Sequence, residues 1–139
     1  MTNKIEKKDF EIKIDNKSAV PIYEQIKRGI KLLIVSGYLK NGDSILSIRE
    51  LAAKLKVNPN TIIKVYYQLE SEGYIFSKPG SSYIVKTNED KVKKEKYGFF
   101  KKETDDYIAK IVSMGYSPME AINEIKKKIN KGGIKNDKD

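Results

Sequence analysis

The chain has no cysteine and no histidine. Without cysteine there is no disulfide framework and no thiolate nucleophile. Without histidine, the commonest metal ligand and the usual neutral-pH general base are both missing. The carboxylates lie scattered on charged helix faces and form no pair of the kind a hydrolase uses. No apolar run approaches the ~20 residues of a membrane-spanning helix. The Lys- and Glu-rich N-terminus lacks the apolar segment of a secretory signal. These absences predict a soluble, cytoplasmic protein that is not an enzyme, binds no membrane and needs no metal or cofactor.

What is present is charge and a moderate apolar content. The 139 residues give room for one domain and a small appendage, and 39% hydrophobic residues suffice for a core. The formal charge is +9 with a pI near 9.5, a balance that favours a polyanionic partner. Across residues 20–88, ten Lys and Arg face five Asp and Glu.

The most informative stretch is Ser47 to Tyr67. Leu51, Ala52 and Leu55 recur at helical spacing, and Ser47 with Glu50 forms a capping-box pattern at the start of that helix. Val57 sits in a short turn. Asn58-Pro59 then opens a second helix, with Asn as N-cap and Pro at the first position. Its apolar stripe is Ile62, Val65, Tyr66 and Leu69. Its opposite face is Asn60, Thr61, Lys64 and Gln68. Amide, hydroxyl and ammonium groups on one face suit the donors and acceptors of base edges in a major groove. The pair reads as a helix-turn-helix with residues 59–71 as recognition helix. Two amphipathic helices joined by a turn are also common in any all-α domain.

The flanking segments add weight. Phe10 to Ile14 alternates apolar and charged residues, a short strand signal. Pro21 opens a helix striped by Ile22, Ile26, Ile30, Leu33 and Ile34, with Lys27, Arg28 and Lys31 on its other side. After Gly73, residues 74–78 and 82–86 read as two strands joined at Pro79-Gly80, which fits a type II turn. Lys78 and Lys86 flank this hairpin. The order of three helices and a hairpin is that of a winged helix-turn-helix.

The organisation expected is a partly flexible arm over 1–18, a winged domain over 19–88 and a charged linker over 89–98. A two-helix element over 99–131 and a disordered tail over 132–139 follow. The fold class is mainly α with a small β-hairpin. In the two-helix element, Tyr107, Ile108, Ile111 and Val112 form one stripe. Met119, Ile122, Ile125 and Ile129 form the other. Ser117 and Glu120 make a second capping box.

On these motifs the chain resembles the GntR family of bacterial transcription regulators. The matching residues are 21–26 (PIYEQI), 36–43 (SGYLKNGD), 46–52 (LSIRELA), 57–61 (VNPNT) and 69–75 (LESEGYI), with Gly80 in the hairpin. The VNPNT element and the short helical tail resemble the YtrA-type subfamily, in which the tail serves dimerisation and not ligand binding. The resemblance implies a dimeric repressor that reads a palindromic operator on double-stranded DNA through residues 59–71 and the wing over 74–86. It implies DNA contacts at Ser47, Arg49, Asn58, Asn60, Thr61, Lys64, Lys78 and Gly80. It also implies a homodimer interface of Ile108, Ile111, Val112, Met119, Ile122, Ile125 and Ile129. Arg49 also suits a solvated helix charge or an ion pair with Glu50 or a neighbour, and Asn58, Asn60 and Thr61 also suit helix capping. There are departures. Leu46 replaces the usual Pro, and Pro59 and Ile63 stand where many members have arginines. Ser81, Ser82 and Tyr83 replace the frequent basic, Gly and Thr residues of the wing. Two rival readings are a ligand-sensing regulator with an effector site in the tail and an interaction adaptor that binds no DNA. The residues name no effector.

Overall fold

The computed structural model describes residues 6–80 and 82–132. The chain divides into two units, residues 1–96 and 97–139.

The first unit is built on three helices: α1 (Ile22–Val35), α2 (Ile48–Leu55) and α3 (Pro59–Ser71). On α1, Ile26, Ile30 and Ile34 are buried at i, i+4 spacing, while Ile22 and Leu33 pack partly buried beside them. On α3, Ile62, Val65, Tyr66 and Leu69 are all buried, as the 3.6-residue period predicts. Leu51 and Ala52 of α2 complete the core with Leu39, Ile45, Tyr74, Ile75 and Val85. The α3 boundaries coincide with those read from the sequence.

Four short strands form one sheet in the order β1-β2-β4-β3: β1 (Lys7–Lys8), β2 (Ser44–Ile45), β3 (Ile75–Lys78) and β4 (Ser82–Val85). β3 and β4 are the expected antiparallel hairpin, with Phe76 opposite Ile84 and Ser77 opposite Tyr83. Gly80 has φ +88°, the sign that a type II turn requires at that position. The other two strands have no sequence signal. β2 pairs antiparallel with β4, and β1 lies parallel to β2.

The arm differs from expectation. The segment over 10–14 is not a strand, and the two-residue β1 lies just before it. The alternation still has a physical meaning, since Phe10 is buried and Ile12 and Ile14 pack against the core. The described part of the arm is pinned. The Tyr38 hydroxyl donates to the Asp9 carbonyl at 2.7 Å, and Lys7 and Lys54 pair with Glu50 and Asp9. Gln25 holds the following loop through Asp15 and Val20. Residues 1–5 lie outside the described residues.

The expected linker over 89–98 is helical. It forms the first part of α4 (Glu89–Ser113), with the Asn88 side chain accepting from the Lys91 N–H at 2.9 Å as a cap. Glu89 and Asp90 in the first turn complement the helix dipole. Val92 packs against the core, and the break between units falls after Lys96, inside the expected 89–98 span.

In the second unit, Gly115 (φ +95°) ends the turn after α4, and α5 (Pro118–Asn130) opens with the predicted Ser117–Glu120 capping box. Ala121 is buried, and Ile108, Ile111 and Ile129 are half-buried. Val112, Met119, Ile122 and Ile125 are exposed. Of the tail, residues 133–139 lie outside the described residues.

Glu72, at the C-cap of α3, accepts from Lys31 at 2.9 Å and pairs with Lys27. Burial pushes its carboxyl up, but the two lysines outweigh burial and hold it below the ordinary 4.5. Glu50, held by Lys7 and Ser47, is likewise lowered. A lowered folded-state value adds stability above the unfolded value, and that stability is lost as pH falls through the folded value. Melting temperature should therefore be flat from neutrality to about pH 5 and fall below about pH 4.5. Glu72→Gln should flatten that acid limb, measured by thermal melts across pH. An unchanged acid limb would count against the Lys27–Glu72–Lys31 cluster.

Candidate nucleic-acid interface

The Ser47 hydroxyl accepts from the Glu50 N–H at 3.2 Å, and the Glu50 carboxylate accepts from the Ser47 N–H at 3.2 Å. This capping box uses up Ser47 and Glu50 and leaves Arg49 on the outside of the first turn of α2. Glu50 pairs with Lys7, so the Arg49–Glu50 ion pair is not formed. Among the described residues Arg49 has no side-chain partner, and it is exposed.

The turn between α2 and α3 passes through Lys56 at φ 57°, ψ 46°, the left-handed region in which helices commonly end. The Val57 N–H reaches back to the Ala52 carbonyl at 3.1 Å. The Asn58 side chain accepts from the Asn60 N–H at 2.8 Å and caps α3. Asn60 and Lys64 are exposed and Thr61 is half-buried. The Lys64 ammonium sits 3.6 Å from the ring centroid of Tyr23 on α1, a cation–π contact that draws it to the α1 side of the helix.

On the wing, Lys78 and Lys86 lie 6.0 and 5.4 Å from the Phe76 ring. Glu70 of α3 accepts from both the N–H and the hydroxyl of Ser77, at 2.9 and 3.2 Å, and so ties the recognition helix to β3. Tyr66 does the same more deeply. Its hydroxyl donates to the Leu46 carbonyl at 2.6 Å, and its ring meets Tyr83 edge-on at 4.7 Å. Burial, with Tyr83 and Glu50 nearby, pushes the Tyr66 phenol well above its ordinary value, so it stays protonated as a donor.

Six of the eight predicted residues fall into three places. Ser47 and Arg49 line one groove with Ile48, Ile63, Ser77 and Tyr83. Asn58 and Thr61 line another on the arm side, beside Lys54 and Lys56. Lys78 and Gly80 sit at the wing turn. Two exposed large apolar residues of α3 were not among the expected contacts: Ile63, 49% exposed, and Tyr67, 71% exposed. Helical spacing from Asn60 places both on the outward face. Their apolar character hid them from a search for donors and acceptors.

The model for bacterial regulatory proteins of the gntR family matches residues 22–85. The transcriptional repressor YtrA of Bacillus subtilis is 38% identical over 130 residues, covering 91% of this chain and 99% of that protein. The chain belongs to the GntR family. Among solved structures, a GntR family transcriptional regulator from Listeria monocytogenes superposes with a TM-score of 0.70 at 32% identity, covering 82% of this chain and 98% of that one. A GntR-family transcription factor, YtrA from Sulfolobus acidocaldarius, superposes with a TM-score of 0.53 at 42% identity, covering 64% and 96%. The GntR winged fold and the likeness to YtrA expected from the motifs are thus borne out. As a family of transcriptional regulators, GntR proteins fit the reading that this chain is no enzyme. Among the described residues no helix is long and apolar enough to cross a membrane.

In this GntR domain the Tyr66 hydrogen bond anchors the chain one residue before the N-cap of α2. Tyr66→Phe should cost about 0.5–1.5 kcal/mol of stability by denaturant titration, with no change in secondary structure by circular dichroism. A variant as stable as the parent would show that the bond contributes nothing net.

Proposed function

We propose that this GntR-family chain is a homodimeric, sequence-specific DNA-binding repressor that acts in the cytoplasm on a palindromic operator. The observation that carries the reading is the free outward surface shared by Arg49, the exposed face of α3 and the wing. Lys7, Lys27, Lys31 and Lys54 are paired with acids, whereas Arg49 is left open to an outside anion. The YtrA relative is named a transcriptional repressor and is matched along almost its whole length. In this reading α3 enters the major groove, the N-terminus of α2 flanks it, and the wing lies along the neighbouring backbone. Arg49, Asn60 and Thr61 supply the donors facing DNA, Lys64 joins them by leaving the Tyr23 ring, and Lys78 beside Gly80 supplies a phosphate contact. Asn58 and Ser47 act chiefly by capping helices whose N-termini face the phosphates.

The second unit supports a dimer. Met119, at 62% exposed, and Val112, Ile122 and Ile125, each at 45–50%, leave a wide apolar surface on α5 and the end of α4. A helix of 13 residues such as α5 is marginal alone in water. A second copy covers the surface by forming a small bundle, with Ile108, Ile111 and Ile129 inside each hairpin.

Arg49→Ala should weaken operator binding by about 1–3 kcal/mol, with the melting curve unchanged. Fluorescence anisotropy at matched salt would measure it, and an unaltered dissociation constant would remove Arg49 from the contact surface.

Truncation after Lys96 should give a folded monomer, and Ile122→Asp in the full chain should dissociate the dimer. Both should bind a full operator far more weakly, because the second half-site is no longer held at high effective concentration. Sedimentation decides: a full-length monomer at micromolar concentration, or a truncated chain that remains dimeric, would rule out this interface.

A further inference from the structure

We propose that Ile63 reads the methyl group of a thymine in each operator half-site, a specificity contact that rests on the DNA-binding reading above. Ile63 is the fifth residue of α3 and lies in its N-terminal half, the part of a recognition helix that meets base edges. It is 49% exposed on a helix whose inward face is fully occupied by Ile62, Val65, Tyr66 and Leu69. Single exposed apolar residues are ordinary. This one differs in its surroundings. It lines the groove between α2 and the wing with Ser47, Arg49, Ser77 and Tyr83. Tyr67, one turn further along α3, extends the apolar strip. Polar and cationic groups therefore frame an apolar floor at the centre of the surface that faces DNA.

The chemistry of the groove selects the partner. Ile63 has neither donor nor acceptor, so it cannot read the O6 and N7 acceptors of guanine. Thymine is the base that offers a methyl group in the major groove. As a β-branched residue in a helix, Ile63 is held in one dominant rotamer, so little side-chain entropy is lost on contact.

The probe is a set of duplexes selected by the full-length protein from a random-sequence library. Each thymine of the selected sequence is then replaced singly by deoxyuridine, which removes only the methyl group. Binding is measured at constant salt for the parent and for Ile63→Ala, whose melting curve should match the parent because the side chain is exposed. The parent should lose about fourfold in affinity at one thymine per half-site, the worth of one buried methyl group (about 0.8 kcal/mol). Ile63→Ala should bind the thymine duplex more weakly and be indifferent to deoxyuridine at that position. Sensitivity that persists in Ile63→Ala, or its absence at every thymine in the parent, overturns the methyl contact while leaving DNA binding intact. A selection that enriches no sequence overturns the DNA-binding reading itself.

Discussion

The buried face of α3 is the constraint on which the first unit depends, and Tyr66 is its centre. One side chain does three things. Its ring fills the core at 1% exposure, it meets Tyr83 of the wing edge-on, and its hydroxyl reaches the Leu46 carbonyl just before α2 begins. The recognition helix, the wing and the N-terminus of the preceding helix are thus set against one another by a single phenol. Glu70 repeats the tie at the surface through Ser77. A helix held this firmly on one side presents its other side as a rigid surface, which suits a site that must match the fixed spacing of base edges.

Charge is distributed in keeping with that division. The back of the domain consumes its lysines: Lys27 and Lys31 close on Glu72, and Lys31 also reaches Glu95 at 3.1 Å. The arm consumes Lys7 and Lys54. Exposed ion pairs of this kind add little stability singly. Their effect here is to tie the arm to α2 and α1 to the end of α3.

The outward face of α3 departs from an all-polar surface, and the reason is visible in how its polar residues are used. Asn58 is occupied as a cap, and Lys64 leans over Tyr23 toward α1. What stands most open is Tyr67, with Ile63 one turn before it. The outward face of α3 therefore carries apolar surface beside its donors. In the second unit the same principle separates residues that a single stripe had grouped. Ile108, Ile111 and Ile129 are half-buried within the hairpin, while Val112, Met119, Ile122 and Ile125 face outward.

Local rules in the sequence determined most of the helices. Ser47–Glu50, Asn58–Asn60 and Ser117–Glu120 each open a helix by hydrogen bonds within three residues, so their positions can be read without knowing the fold. The hairpin turn was legible for the same reason, since Gly80 must carry the positive φ. The helical state of residues 89–98 was not legible because their charge suggested only a linker, whereas the Asn88 cap, the acidic first turn and the packing of Val92 sustain a helix. Only tertiary structure decided the rest. β1 and β2 are two residues each, and nothing local distinguishes them; they exist because β4 offers an edge to β2, and β2 in turn to β1. The partner of Glu50 is Lys7, 43 residues away, and among the described residues Arg49 has no side-chain partner. Pairings across such separations depend on how the helices pack, and no periodicity or spacing along the chain encodes them.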